Sequence, residues 1–109
     1  MFVFVYITTG TAEEAKTIAR ALVQERIAAC ANIFPVSSVY RWKGSVEEAD
    51  ETGMIVKTTD AKLGELEKRV KELHSYQVPC IISMGIGGGS KEYLDWIGES
   101  TMKDSDDVQ

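Results

Sequence analysis

The apolar residues along this chain switch repeatedly between strand and helix spacing, and each switch marks an element. Phe2 to Thr8 is a run of β-branched and aromatic residues, which predicts a first strand. Thr11 and Glu14 have the spacing of a capping box. Ala12, Ala15, Ile18, Ala19, Leu22 and Val23 then recur at helical spacing, so residues 11–26 read as an amphipathic helix. Ile27 to Trp42 carries no helical stripe and is rich in strand formers. Its alternation falls into two halves with Pro35 between them, where a bulge or bend is expected. Gly44 marks a turn, and Val46 to Thr59 reads as the returning strand. Asp60 is placed to cap a second helix with a stripe at Leu63, Leu66, Val70 and Leu73. Val78 to Ile86 is almost continuously apolar, which predicts a fourth strand buried on both faces. After Gly87-Gly88-Gly89, Ser90 is placed to cap a short last helix carrying Tyr93, Leu94 and Ile97.

The order β-α-β-β-α-β plus a final helix predicts an α+β, ferredoxin-like sandwich. Its sheet is antiparallel, with both main helices on one face. Residues 1–102 read as a single domain and 103–109 as an acidic tail. One length is out of proportion. The second and third strands take up about 14 residues each, or about 45 Å at ~3.3 Å per residue. A compact domain of this size has a radius of gyration of only ~13 Å. The central hairpin therefore projects beyond its helices or bends back. Its tip carries Tyr40 and Trp42, and projecting strands with aromatic residues aggregate unless paired. Pairing with sister subunits is the economical solution; the alternative is a bent hairpin with Trp42 as ordinary core.

Composition narrows the class. The chain is 44% hydrophobic and 27% charged, which is globular rather than disordered. No apolar run reaches the ~20 residues of a membrane helix. The apolar start has neither a basic region nor a small-residue cleavage site, so the cytoplasm is the expected compartment. Seventeen acidic residues outnumber twelve basic ones, which argues against a nucleic-acid partner. Cys30 and Cys80 form no CxxC pair, and both lie in apolar runs, as buried free thiols do.

Five segments, in order, resemble the CutA or divalent-cation tolerance family. They are Glu25-Arg26-Ile27-Ala28-Ala29-Cys30-Ala31-Asn32-Ile33, Tyr40-Arg41-Trp42-Lys43-Gly44, Glu51 with Met54-Ile55-Val56-Lys57-Thr58, His74-Ser75-Tyr76-Gln77-Val78-Pro79, and Tyr93-Leu94-Asp95-Trp96. The resemblance implies a ferredoxin-like fold, a tight homotrimer built through the long strands, and an association with copper and other divalent cations. It implies no enzymatic reaction and no obligatory cofactor. Ser75 stands where the family usually has proline, and Lys43 where an acidic residue is common. Cys80 stands where members often carry a glutamate, implicated in some as a metal ligand. The cysteine that some members carry near the end of the first strand is absent from Tyr6-Ile7-Thr8-Thr9.

His74, the single histidine, suits Cu(II) or Zn(II), and Cys80 is a soft ligand favouring Cu(I) or Zn(II). The alternative for His74 is a surface histidine facing its helix dipole. Within the matching motifs, Trp42, Glu51, Lys57 and Tyr76 are candidates for an inter-subunit cleft, and Tyr40 and Trp42 for trimer packing. Lys57 is expected to meet an anion there, or a carboxylate such as Glu51; otherwise it snorkels on a solvated face. Two readings follow: a trimer that binds copper or another divalent cation weakly, or a structural or signalling trimer whose clefts bind a small anionic ligand or a protein partner. Catalysis finds no support. Gly85 to Lys91 has Ser before Lys, the reverse of a phosphate-binding loop. The first loop, Thr8-Thr9-Gly10-Thr11, lacks the phosphate-cradling arginine of the acylphosphatases, which share this topology.

Overall fold

The structure, a computed structural model, describes residues 1–102; the acidic tail expected at 103–109 lies outside the described residues. The elements are β1 (Phe2–Thr9), α1 (Ala12–Gln24), β2 (Cys30–Trp42), β3 (Ser45–Thr59), α2 (Leu63–Leu73), β4 (Ile81–Gly85) and α3 (Lys91–Ser100). A four-stranded antiparallel sheet runs in the order β2-β3-β1-β4. This is the expected ferredoxin-like order.

α1 begins at the predicted cap. The Thr11 hydroxyl accepts from the Glu14 N–H at 3.1 Å, while Glu14 reaches back to the Gly10 N–H rather than to Thr11. The helix ends two residues earlier than predicted because Arg26 turns left-handed, at φ 59°. That lets Ile27 N–H bond Leu22 O and Arg26 N–H bond Val23 O, satisfying two terminal carbonyls. Ala15, Ile18, Ala19 and Leu22 of α1 and Leu66 and Val70 of α2 pack on Val5, Ile7, Met54 and Val56. Both helices therefore lie on one face of the sheet. Ala12 and Val23, at the margins of the predicted stripe, are exposed.

α3 lies on the opposite face. Tyr93 reaches Lys57, and Gly98 comes close enough to Phe2 that an added Cβ would sit 3.7 Å from its ring. Ser90 caps α3 as predicted, accepting from Tyr93 N–H at 3.3 Å. Asp60 does not cap α2. It opens a short 3₁₀ turn, Asp60–Lys62, and its carboxylate accepts from the Met1 ammonium at 3.1 Å.

Two strand expectations are corrected. The ladder from Cys30↔Lys57 to Trp42↔Ser45 runs without a break, so Pro35 makes no bulge. β2 is an edge strand with one neighbour, and a proline there need not remove a ladder bond. β4 is shorter than predicted and is also an edge. Val78 and Ile82 are exposed, so the apolar run is not buried on both faces within one chain.

The hairpin projects. β1 covers β3 only from Thr52 to Thr59. The seven outer rungs, Val36↔Glu51 to Trp42↔Ser45, pair with each other alone. Lys43 and Gly44 both have positive φ, 49° and 83°, the geometry of a two-residue I′ turn that keeps the strands twisting together. The described residues extend 53 Å in one direction against 28 and 21 Å in the others.

Candidate functional site

At the inner end of the hairpin, the segment after α2 crosses the end of β1 and is tied down by polar contacts. His74 is half-buried rather than a surface residue. Its Nε2–H donates to Thr8 O at 2.7 Å, and its Nδ1 accepts from the Tyr76 N–H at 3.0 Å. The partners define the tautomer, because a carbonyl only accepts and an amide N–H only donates. Both ring nitrogens are thus in use, and an ion at either one displaces a hydrogen bond. Ser75 N–H donates to Glu14 Oε2 at 2.9 Å. Burial alone would push the Glu14 carboxyl up. The bonds from Ser75 and Gly10, with His74 nearby, outweigh it and hold Glu14 below the ordinary carboxylate value.

Anchored this way, Tyr76 points its hydroxyl at Glu51 on the hairpin and donates to Oε2 at 2.5 Å, a charge-assisted bond. Partial burial and the adjoining Glu51 charge push the Tyr76 phenol well above its ordinary value. Tyr6 and Thr8 of β1, Ser38, Tyr40, Trp42 and Glu51 of the hairpin, and Tyr76, Gln77, Val78 and Cys80 of the following segment line a groove of about 660 Å³. Cys80 Sγ lies 4.0 Å from Tyr6 O. Burial, then the Glu51 charge, push its thiol up, away from the thiolate a metal needs.

Three of the expected cleft residues, Trp42, Glu51 and Tyr76, therefore share one groove, with Tyr40 beside them. Lys57 is not among them. It lies on the same face of β3 as Glu51 but six residues along, about 20 Å away at ~3.3 Å per residue. Within one chain it cannot meet that carboxylate. Its Nζ donates to Tyr93 Oη at 3.1 Å and sits 5.3 Å from the same ring's centroid. The Tyr93 bond, opposed by partial burial, raises the Lys57 ammonium above its ordinary value. Cys30, opposite Lys57 in the ladder, has its sulfur 3.6 Å from the same hydroxyl. Sequence reasoning placed Tyr93 on the last helix but gave it no partner. Glu14, similarly, was read only as half of a cap.

A metal centre does not fit the described residues of one chain. Among the described residues no three His, Cys, Asp or Glu side chains gather to hold an ion. His74 has no free nitrogen, and Cys80 is held as the thiol.

A four-stranded ferredoxin-like sheet with an overlong hairpin, two helices on one face and a third on the other defines a small α+β domain. The chain belongs to the CutA1 divalent ion tolerance protein family, whose model matches residues 3–100. The divalent-cation tolerance protein CutA of Thermus thermophilus is 51% identical over 98 residues, which is 89% of this chain and 95% of that protein. The CutA of Archaeoglobus fulgidus is 48% identical over 97 residues, with the same two shares. The solved structure of the Archaeoglobus protein, described as periplasmic, superposes with a TM-score of 0.92 at 47% identity, covering 94% of this chain and 100% of that one. The Thermus structure gives 0.91 at 50% identity with the same coverage.

Proposed function

We propose that this protein acts in divalent-cation tolerance as a cytoplasmic homotrimer, whose subunits clasp one another through the long hairpins and which binds copper or another divalent cation weakly. The observation that carries the trimer is the hairpin's outer half. Val39, Tyr40, Trp42 and Val46 are exposed on rungs that, among the described residues, no other strand covers. Both sheet edges, β2 and β4, also stay open within the chain. Membership of the tolerance family supports the cation role. The local chemistry favours weak, shared binding, since among the described residues no three His, Cys, Asp or Glu side chains gather to hold an ion. Sedimentation at micromolar concentration is expected to give a trimer; a species of 12.0 kDa alone would end the trimer reading. Cu(II) titration of the wild type, His74→Ala and Cys80→Ser tests the metal reading. If His74 is a ligand, binding weakens as pH falls and is largely lost in His74→Ala. If His74→Ala binds as well as the wild type, the ion is held elsewhere.

The groove supports a second reading, in which the trimer's clefts serve a small ligand and metal binding is incidental. A built cavity with a fixed carboxylate, beside a histidine whose nitrogens are both engaged, favours it.

A further inference from the structure

Away from the hairpin, a second groove opens where α1 passes into β2. Val23 and Arg26 at the end of α1, Ala28 and Ala29 before β2, and Trp96 and Ser100 on α3 line it. None of these residues belongs to the outer hairpin or to either edge strand. Arg26 holds a left-handed backbone there, at φ 59°. Glycine, or sometimes asparagine, is the usual residue just past a helix end in this conformation, because a Cβ crowds the backbone. Strained backbone of this kind persists where the side chain is needed. Of the described residues lining the groove, Arg26 alone carries a charge. The adjoining Glu25 carboxylate is turned to Arg69, which bonds its two oxygens at 3.0 and 2.9 Å.

The chain itself carries an acidic segment to the rim of this groove. Trp96 and Ser100 stand four residues apart on α3, so they share the helix face that lines it. α3 ends at Ser100, and Met102 is followed by Lys103-Asp104-Ser105-Asp106-Asp107-Val108-Gln109. Three aspartates against one lysine give that segment the charge opposite to Arg26. Asp104 comes two residues after Met102 and Asp107 five. At ~3.5 Å per residue they can reach about 7 to 18 Å from it. Tethering adds to the complementarity. A group joined by a few residues acts at an effective concentration in the millimolar range, so a contact too weak to hold separate molecules together is populated within one chain.

We propose that this groove is the docking site for residues 104–107 of the same chain, with an aspartate carboxylate on the Arg26 guanidinium and the segment lying across Trp96. The contact latches the end of α3 to the end of α1. It depends neither on the trimer nor on cation binding.

Trp96 reports on the groove. In a nitrogen–proton correlation spectrum of the full-length protein its indole N–H is one of two, and Trp96→Phe identifies it by loss of the signal. Asp104→Asn, Asp106→Asn and Asp107→Asn made together are expected to move that signal. Salt at about 1 M, where the Debye length is ~3 Å, is expected to move the wild-type signal in the same direction. Arg26→Gly removes the guanidinium and suits the left-handed backbone. In that background the three asparagine substitutions are expected to leave Trp96 where it is. Arg26→Lys, which keeps the charge, is expected to keep the direction of the response. A Trp96 signal that ignores the asparagine substitutions, or a response of equal size in Arg26→Gly, overturns the proposal. Two other occupants are separated by the same signal. A response that grows with protein concentration means docking between separate molecules. Labelled triple-asparagine chains, refolded with an excess of unlabelled wild type, test a sister subunit. A labelled Trp96 signal that stays at the triple-asparagine position supports docking within one chain, and a return to the wild-type position overturns it.

Discussion

At the scale of single residues, the groove depends on where two protons sit. The His74 proton is on Nε2, because Thr8 O accepts there and Tyr76 N–H donates to Nδ1. Tyr76 keeps its own proton because burial and the adjoining Glu51 carboxylate both disfavour a phenolate. A group whose folded pKa is raised contributes stability that is complete below its unfolded value. The contribution is lost as pH rises through the folded value. Tyr76 should therefore cost nothing up to its ordinary value of 10.0 and destabilise the fold increasingly above it. In an alkaline titration followed by near-ultraviolet absorbance, one of the four tyrosines is expected to ionise late. Tyr76→Phe should remove that late step, and Glu51→Gln should bring it closer to the others. If all four ionise together in the wild type, Tyr76 is not held against Glu51 in solution.

At the scale of elements, the inner end of the hairpin is closely packed. Gly53 on β3 lies opposite Phe34, and an added Cβ would come within 2.9 Å of the Phe34 ring and 3.1 Å of Val36. Phe34 stacks on Tyr6 with ring centroids 6.4 Å apart, so it cannot swing away without losing that contact. Gly53→Ala is expected to destabilise by about 1–3 kcal/mol through overpacking, read as a lower unfolding midpoint at fixed chain concentration. A midpoint equal to the wild type's would mean that Phe34 has room to move. Periodicity had already placed the helices of this scaffold, since α1 and α2 bury the centres of their stripes, Ala15, Ile18, Ala19 and Leu22 on one and Leu66 and Val70 on the other. It misjudged β4, where a continuous apolar run turned out to be an exposed edge. Such a run is equally suited to a strand buried in its own sheet and to one that meets another chain.

At the scale of the whole molecule, the decisive comparison is between the lone chain and the assembly. Val39 and Val46 are 68% and 64% exposed in one chain. Asp at either position should then change the stability of an isolated chain by no more than about 0.5 kcal/mol. In a trimer that buries the hairpin, each charge loses its water and has no partner. Val39→Asp and Val46→Asp are therefore expected to shift the sedimenting species toward monomer while leaving circular dichroism unchanged. A pair of variants that stay trimeric would move the interface off the outer hairpin.

What the sequence determined by itself is what repeats locally: strand and helix periods, the Thr11 and Ser90 caps, the length of the hairpin, and the motifs that name the family. Element order then leaves few ways to fold the sheet, so the topology was legible too. Tertiary structure alone decided which side chains meet. Lys57 and Glu51 share a face of one strand, yet the ~3.3 Å rise per residue keeps them apart. Lys57 found Tyr93 on a helix that follows 36 residues later in the chain. His74 looked like a free ligand until the ends of β1 and α2 were brought together around it and both of its nitrogens were used. Contacts between residues distant in sequence depend on how elements stack, and no local period records that.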